Sequence, residues 1–165
     1  MALGRKETLV PRSADDLQKV SSDPISAQAA RRLFSRPGPS ASVFNSSNKG
    51  RRILVLDDDK EVLGTVTDML SSAGYTVVPF GTALHALDEV SGPRRIDLMV
   101  VDFAMPDMRG DRFATIARLQ RSAPILFISG YAEPPSLQSE PFLLRKPFSV
   151  TSLISTIEEA MRVAA

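Results

Sequence analysis

The chain has 165 residues, 43% of them hydrophobic and 24% charged, with a net charge of +1, which fits one globular domain with an appendage. No run comes near the roughly 20 apolar residues that span a bilayer and no apolar signal core follows Met1, so the expectation is a cytoplasmic protein without membrane insertion. The absence of cysteine excludes disulfides, thiolate metal sites and cysteine nucleophiles, and His85, the only histidine, leaves serine–histidine triads and histidine metal sites resting on one imidazole.

Charge divides unevenly about Gly50. Residues 1–50 carry eight Lys/Arg against four Asp/Glu, hence +4, and residues 51–165 carry twelve against fifteen, hence −3. The first part scatters Ser, Pro and Gly, as in Pro37-Gly38-Pro39-Ser40, without a sustained apolar period to offset the entropy of ordering. It reads as a largely disordered, basic extension. Within it Ile25, Ala29, Leu33 and Phe34 fall at helical spacing behind Asp23-Pro24, with Arg31 and Arg32 on another face. An isolated helix this short is marginal, which favours a transient helix in a solvated tail over a docking helix.

From Arg51 onward short apolar runs alternate with helical periods. Ile53-Leu54-Val55-Leu56 predicts a first strand, and Val62, Val66, Met69 and Ala73 line a helix stopped by Gly74. Tyr75 to Val78 predicts a second strand, followed by a helix through Ala83, Leu87 and Val90 that ends at Gly92-Pro93. Ile96 to Val101 is a third strand, and Phe113, Ile116, Ala117 and Gln120 mark the next helix. Ile125 to Ile128 and Phe142 to Leu144 complete the strands, and Val150, Leu153, Ile154, Ile157 and Met161 line a last helix. Continuously apolar strands between helices predict an α/β domain over residues 51–165, with a parallel sheet covered on both faces.

Polar residues stand where these strands end. Asp57-Asp58-Asp59 follows the first, Asp102 the third, Ser129 the fourth and Lys146 the fifth. Ligands of open parallel sheets bind beyond the carboxyl ends of the strands, so the four positions converge there. Carboxylates gathered at one edge repel unless a cation neutralises them, and an all-oxygen cluster suits Mg²⁺ and phosphate chemistry. A lysine and a hydroxyl across the crevice stabilise charge on a transferring phosphoryl group, with the Asp102 carboxylate as nucleophile forming an acyl phosphate.

Four segments, Ile53 to Asp59, Val101 to Gly110, Ile128-Ser129-Gly130-Tyr131-Ala132 and Leu144-Arg145-Lys146-Pro147-Phe148, resemble the receiver domain of two-component response regulators in order and spacing. The resemblance covers residues 51–165 and not 1–50. It implies a flavodoxin-like, doubly wound, five-stranded sheet in the order 2-1-3-4-5. It makes Asp102 the phosphoacceptor, Asp58 a direct Mg²⁺ ligand, Asp57 an acid that binds the metal through water, and the Ala104 carbonyl a further ligand. Ser129 is then the switch hydroxyl, Lys146 the phosphate-binding lysine, and the Lys146–Pro147 bond is expected to be cis. The implied partners are a histidine kinase or histidine phosphotransfer protein and a downstream protein. A signalling role is implied, with phosphorylation from a donor and slow autodephosphorylation instead of enzymatic turnover.

The sequence also departs from that pattern. Pro134, Pro135 and Pro141 fall between Ser129 and Lys146, so the fourth helix is expected to be short, irregular or missing. Leu143 stands where an aromatic switch residue is common, and Phe142 beside it is expected to face the other way. Tyr131 is expected to shield the acyl phosphate. No basic recognition face is expected from a core of charge −3, and no further domain follows the last helix, so no DNA partner is expected.

Each element has a plainer reading. The acidic triplet serves as a helix cap, Asp102 as a strand-end cap, and Lys146 as a solvated charge; four such coincidences in order on successive strand ends disfavour it. His85 reads as a solvated surface residue. Two rivals differ in class. One is a haloacid-dehalogenase-like phosphatase with its nucleophile and acid in Asp57-Asp58-Asp59, which leaves Asp102 idle. The other is a phosphorylation-independent scaffold with a vestigial pocket.

Overall fold

The computed structural model describes residues 48–130, 135–137 and 139–164. The readings made for the extension before Asn48 and for Tyr131 lie outside the described residues. In chain order the elements are β1 (Arg52–Leu56), α1 (Lys60–Ser72), β2 (Thr76–Phe80), α2 (Ala83–Ser91), β3 (Leu98–Asp102), α3 (Gly110–Arg118), β4 (Ile125–Ser129), a 3-10 turn (Pro135–Leu137), β5 (Leu143–Arg145) and α4 (Val150–Val163). The five strands form one parallel sheet in the order β2-β1-β3-β4-β5. Among the described residues no helix is long and apolar enough to cross a membrane.

Alternation along each strand builds two cores. Ile53, Val55, Leu98, Val100, Leu126 and Ile128 face α1 and α4. Leu54, Leu56, Met99, Val101 and Phe127 face α2 and α3. Both sides of the central strands are therefore dry, which is why their sequences are apolar without interruption. Burying such a side chain contributes about 1.5–3 kcal/mol, so the sheet is the stable frame on which the strand-end residues are mounted.

Boundaries follow local chemistry. Asp59 caps α1, its Oδ1 accepting from the amides of Glu61 at 2.8 Å and Val62 at 3.3 Å. At the other end Gly74, at φ 92°, turns the chain out, while the amide of Gly74 donates to Ser71 O and that of Tyr75 to Leu70 O. These two bonds, with Leu70 and Tyr75 in the same core, form a Schellman stop. The buried face of α1 is centred on Val66 and Leu70, with Val62 and Met69 only partly covered, so it is rotated from the predicted face. β2 runs through Pro79 to Phe80, two residues beyond the expected strand; an edge strand tolerates a proline because no outer neighbour needs its N–H.

Between β4 and β5, where the fourth helix is expected to be short, irregular or missing, the described residues hold a 3-10 turn, Pro135–Leu137. Leu137 is fully buried in the core beside α3, anchoring the segment. The Arg118 guanidinium grips Glu140 with two bonds, Nη1 to Oε1 at 2.9 Å and Nη2 to Oε2 at 2.5 Å, tying the end of α3 to the approach to β5. β5 is shifted one residue from expectation. Phe142 and Leu144 pack toward α4 and Leu143 toward α3, so Phe142 does face away from Leu143.

The charge of −3 is not spread evenly. Lys49, Arg51 and Arg52 before or at the start of β1, Arg94 and Arg95 before β3 and Arg121 before β4 all fall at the N-terminal ends of the strands, opposite the acidic strand ends. Arg52 and Arg95 are ion-paired there, to Glu89 at 2.5 Å and to Asp97 at 2.6 Å. A basic edge therefore exists where net charge alone predicts none.

Candidate functional site

Asp102 is the last residue of β3, the middle strand, and β1 and β4 lie on either side of it. The neighbours deliver Asp57, one residue past β1, and Ser129, the last residue of β4; β5 delivers Lys146 one residue past its end. All three polar strand-end side chains nearest the middle are covered: Asp57 is 3% exposed, Asp102 5% and Ser129 1%.

Lys146 joins the two carboxylates. Its Nζ donates to Asp102 Oδ1 at 2.7 Å and to Asp57 Oδ2 at 2.9 Å. The second oxygen of each acid is held by a nearby backbone amide: Ala104 N donates to Asp102 Oδ2 at 2.8 Å, and Asp59 N to Asp57 Oδ1 at 2.9 Å. The Lys146 amide donates to Ser129 O at 2.9 Å, which sets the lysine beside the buried serine, and the Lys146–Pro147 bond is cis as expected.

The electrostatics show that Lys146 does not fully offset the burial of Asp57. Burial is the largest influence on Asp57 and raises its pKa above 3.8, even though the Lys146 hydrogen bond, the Asp59 amide and the Lys146 charge pull it down. Burial also pulls Lys146 down, but its hydrogen bonds to Asp102 and Asp57 and their charges outweigh that, and its pKa stands above 10.5. One ammonium is shared between two buried carboxylates, and room remains electrostatically for a second positive charge.

The donor set fits Mg²⁺. It is entirely oxygen, with buried carboxylates on adjacent strand ends, and Mg²⁺ needs only one or two carboxylates because it keeps several waters. Asp58 is exposed beside Asp57, and the Ala104 carbonyl belongs to the residue whose amide holds Asp102. Among the described residues no three acids or histidines form a ready-made cage, so protein groups alone do not complete a coordination sphere.

The triplet thus splits three ways: Asp57 is in the cluster, Asp58 stands at its exposed side, and Asp59 is the helix cap of the plainer reading. His85 lies on α2, exposed, with Nδ1 3.0 Å from Thr82 Oγ1. Leu143 is held against the core beside α3.

Two residues that support the site were not singled out from the sequence. Gly110 starts α3 against the backbone of the acidic strand end: a Cβ there would lie 2.5 Å from Asp102 O and 3.0 Å from Phe103 Cα. Asp107, in the loop between β3 and α3, accepts the Ala83 amide at 2.7 Å and so caps α2. The acidic type in a Met-Pro-Asp turn was a signal for the second; nothing local marks its distant donor.

The sequence matches the family described as response regulator receiver domain over residues 53–158. It is 30% identical over 118 residues to the response regulator protein TmoT of Ectopseudomonas mendocina, covering 68% of this chain and 53% of that one. To the transcriptional regulatory protein GlrR of Escherichia coli it is 29% identical over 125 residues, covering 72% and 28%. The chain spans about half the length, or less, of these curated relatives. Among solved structures, a response regulator receiver protein from Sinorhizobium medicae superposes with a TM-score of 0.64 at 26% identity, covering 70% of this chain and 97% of that one. The Vibrio cholerae chemotaxis protein CheY4 does so with a TM-score of 0.61 at 26% identity, covering 67% and 98%.

Proposed function

The chain belongs to the response regulator receiver domain family, and from that membership we propose that residues 51–165 accept a phosphoryl group on Asp102 and signal by protein contacts. The observation that carries this reading is the placement of Asp102 on the middle strand end, buried, with Lys146 on one oxygen and the Ala104 amide on the other. An Asp102 carboxylate oxygen attacks the phosphorus of a phosphohistidine on a histidine kinase or phosphotransfer protein. The P–N bond breaks, the imidazole leaves with the bonding pair, and an acyl phosphate forms.

Lys146 turns from the carboxylate toward the phosphoryl oxygens, and the Ser129 hydroxyl donates to one of them. Asp57, Asp58, Asp102 and the Ala104 carbonyl would hold Mg²⁺, which supplies charge neutralisation for the incoming phosphoryl group. Receiver domains generally signal and do not turn over a substrate, and the phosphate adds a charge that biases a two-state rearrangement of the protein-binding face. The output is assigned to a downstream protein. The dehalogenase-like alternative leaves Asp102, buried at the end of the middle strand and bonded to Lys146, without a role.

Intact-mass spectrometry after incubation with acetyl phosphate and Mg²⁺ tests this. The expected result is one added phosphoryl group, absent with chelator and absent in Asp102→Asn. An Asp102→Asn protein labelled like the wild type, or no adduct on either, overturns the assignment.

A further inference from the structure

Helix α2 starts without a cap of its own. Thr82 occupies the cap position in an extended conformation but makes no side-chain cap bond, and its hydroxyl lies 3.0 Å from His85 Nδ1 instead. The first amide of the helix, Ala83 N, donates to Asp107 Oδ2 at 2.7 Å across 24 residues of chain, and Asp107 Oδ1 accepts the Met108 amide at 2.9 Å. An exposed carboxylate on a loop is thus fastened to the positive end of a helix that packs on the sheet.

That loop is the one on which the site depends. Phe103 N donates to Ile128 O at 2.9 Å and Gly110 N to Phe103 O at 3.0 Å, so the loop leaves and returns at one point beside Asp102. Between these ends stand Ala104, whose amide holds Asp102 and whose carbonyl is among the ligands proposed above, and the buried Met105. The buried Met105 and the Asp107 bond to α2 hold the loop from two sides.

We propose that Asp107 is a positioning residue: by capping α2 from the loop between β3 and α3, it holds Ala104 in place and so sets the affinity of the acidic pocket for Mg²⁺. The inference rests on the receiver reading of that pocket. Outer groups that orient ligands typically change metal affinity by 10–100-fold, and a single bond to a loop stands at the low end of that range.

The other end of α2 supplies the control. Arg121 caps it, Nε donating to Val90 O at 2.7 Å and Nη2 to Gly92 O, at the sheet edge away from the acids. In the full chain, Asp107→Ala and Arg121→Ala each remove one cap of the same helix and each lower its stability. Mg²⁺ titration followed by amide NMR shifts is expected to show about tenfold weaker binding in Asp107→Ala. Arg121→Ala should bind as the wild type, and Asp107→Asn, which keeps one acceptor oxygen, should fall within about threefold of it.

Equal weakening in Arg121→Ala, or wild-type affinity in Asp107→Ala, overturns the proposal. If the wild type binds no Mg²⁺, the pocket reading fails instead, and amide exchange still decides the pinning. Faster exchange of residues 103–109 in Asp107→Ala but not in Arg121→Ala supports it, and unchanged exchange refutes it.

Discussion

Lys146→Met is expected to destabilise the domain by about 3 kcal/mol at pH 7, because it leaves two buried carboxylates facing each other without their shared cation. Asp57 and Asp102 are 3% and 5% exposed, and the lysine that bridges them is itself only 27% exposed in its side chain, so solvent screens the pair weakly. The methionine approximates the length of the lysine stem, so the effect reports charge more than packing. It also removes the positive group nearest Asp102, and phosphorylation from acetyl phosphate should become too slow to detect.

The pH dependence follows from Asp57. Its pKa lies above 3.8 in the folded protein, chiefly because burial disfavours the charged form. The folded state therefore holds that proton more tightly than the unfolded chain, and stability contributed by this group falls as pH rises from 3.8 through the folded value. Loss of Lys146 removes two of the influences that hold the value down, so the window widens upward. Lys146 itself, raised above 10.5, stabilises fully below that pH and loses its contribution only in strong alkali, so it adds no slope near neutrality in the wild type.

Urea denaturation midpoints at pH 5 and pH 8 should show a larger wild-type-to-variant gap at pH 8. A gap independent of pH would mean that the carboxylates are not the source. Asp102→Asn in the Lys146→Met background should recover part of the loss by removing one of the two charges.

Much of the fold is legible because its strands are buried on both faces. Leu98 to Asp102 and Ile125 to Ser129 are buried throughout, so their apolar runs stand out, and each ends at the first residue that chemistry needs polar. The site is legible for the same reason: in a parallel sheet every strand end points to one edge, and four polar breaks in the pattern converge there. Pro79 hid the end of β2, since a strand at the edge need not use every backbone donor, and edge position is a property of the whole sheet. Leu70, not Met69, sits deepest in α1 because α1 is oriented by its contact with Ile53 and Val55, which periodicity cannot weigh.

What stayed hidden depends on contacts distant along the chain. Arg121 reads as one more surface charge until its guanidinium is seen on the carbonyls of Val90 and Gly92. The basic edge is hidden likewise, since Arg51 and Arg95 are far apart in sequence and net charge sums them with acids at the opposite edge. Gly110 is a different case: a glycine at a helix start looks like an entropic weakness, and only the approach of the backbone explains it.

Gly110→Ala is expected to cost about 3 kcal/mol and to slow phosphorylation together with it. The added Cβ would sit 2.5 Å from the Asp102 carbonyl oxygen and 3.0 Å from Phe103 Cα, both backbone atoms that no rotamer change can move aside. Either α3 retreats, pulling Phe113 and Ala114 from full burial, or the end of β3 shifts, disturbing the Phe103 bond to Ile128 and the Ala104 amide on Asp102. The first route is a packing loss seen in stability alone; the second moves Asp102, the proposed phosphoacceptor. For a domain of this size the melting temperature should fall by roughly 10–15 °C. A helix-propensity effect alone has the opposite sign, since alanine is favoured over glycine by about 1 kcal/mol within a helix. Thermal unfolding of the variant therefore discriminates cleanly: an unchanged or raised melting temperature would show that the close approach does not constrain this site. A lowered one with an unaltered phosphorylation rate would place the strain in α3 and leave Asp102 where it is.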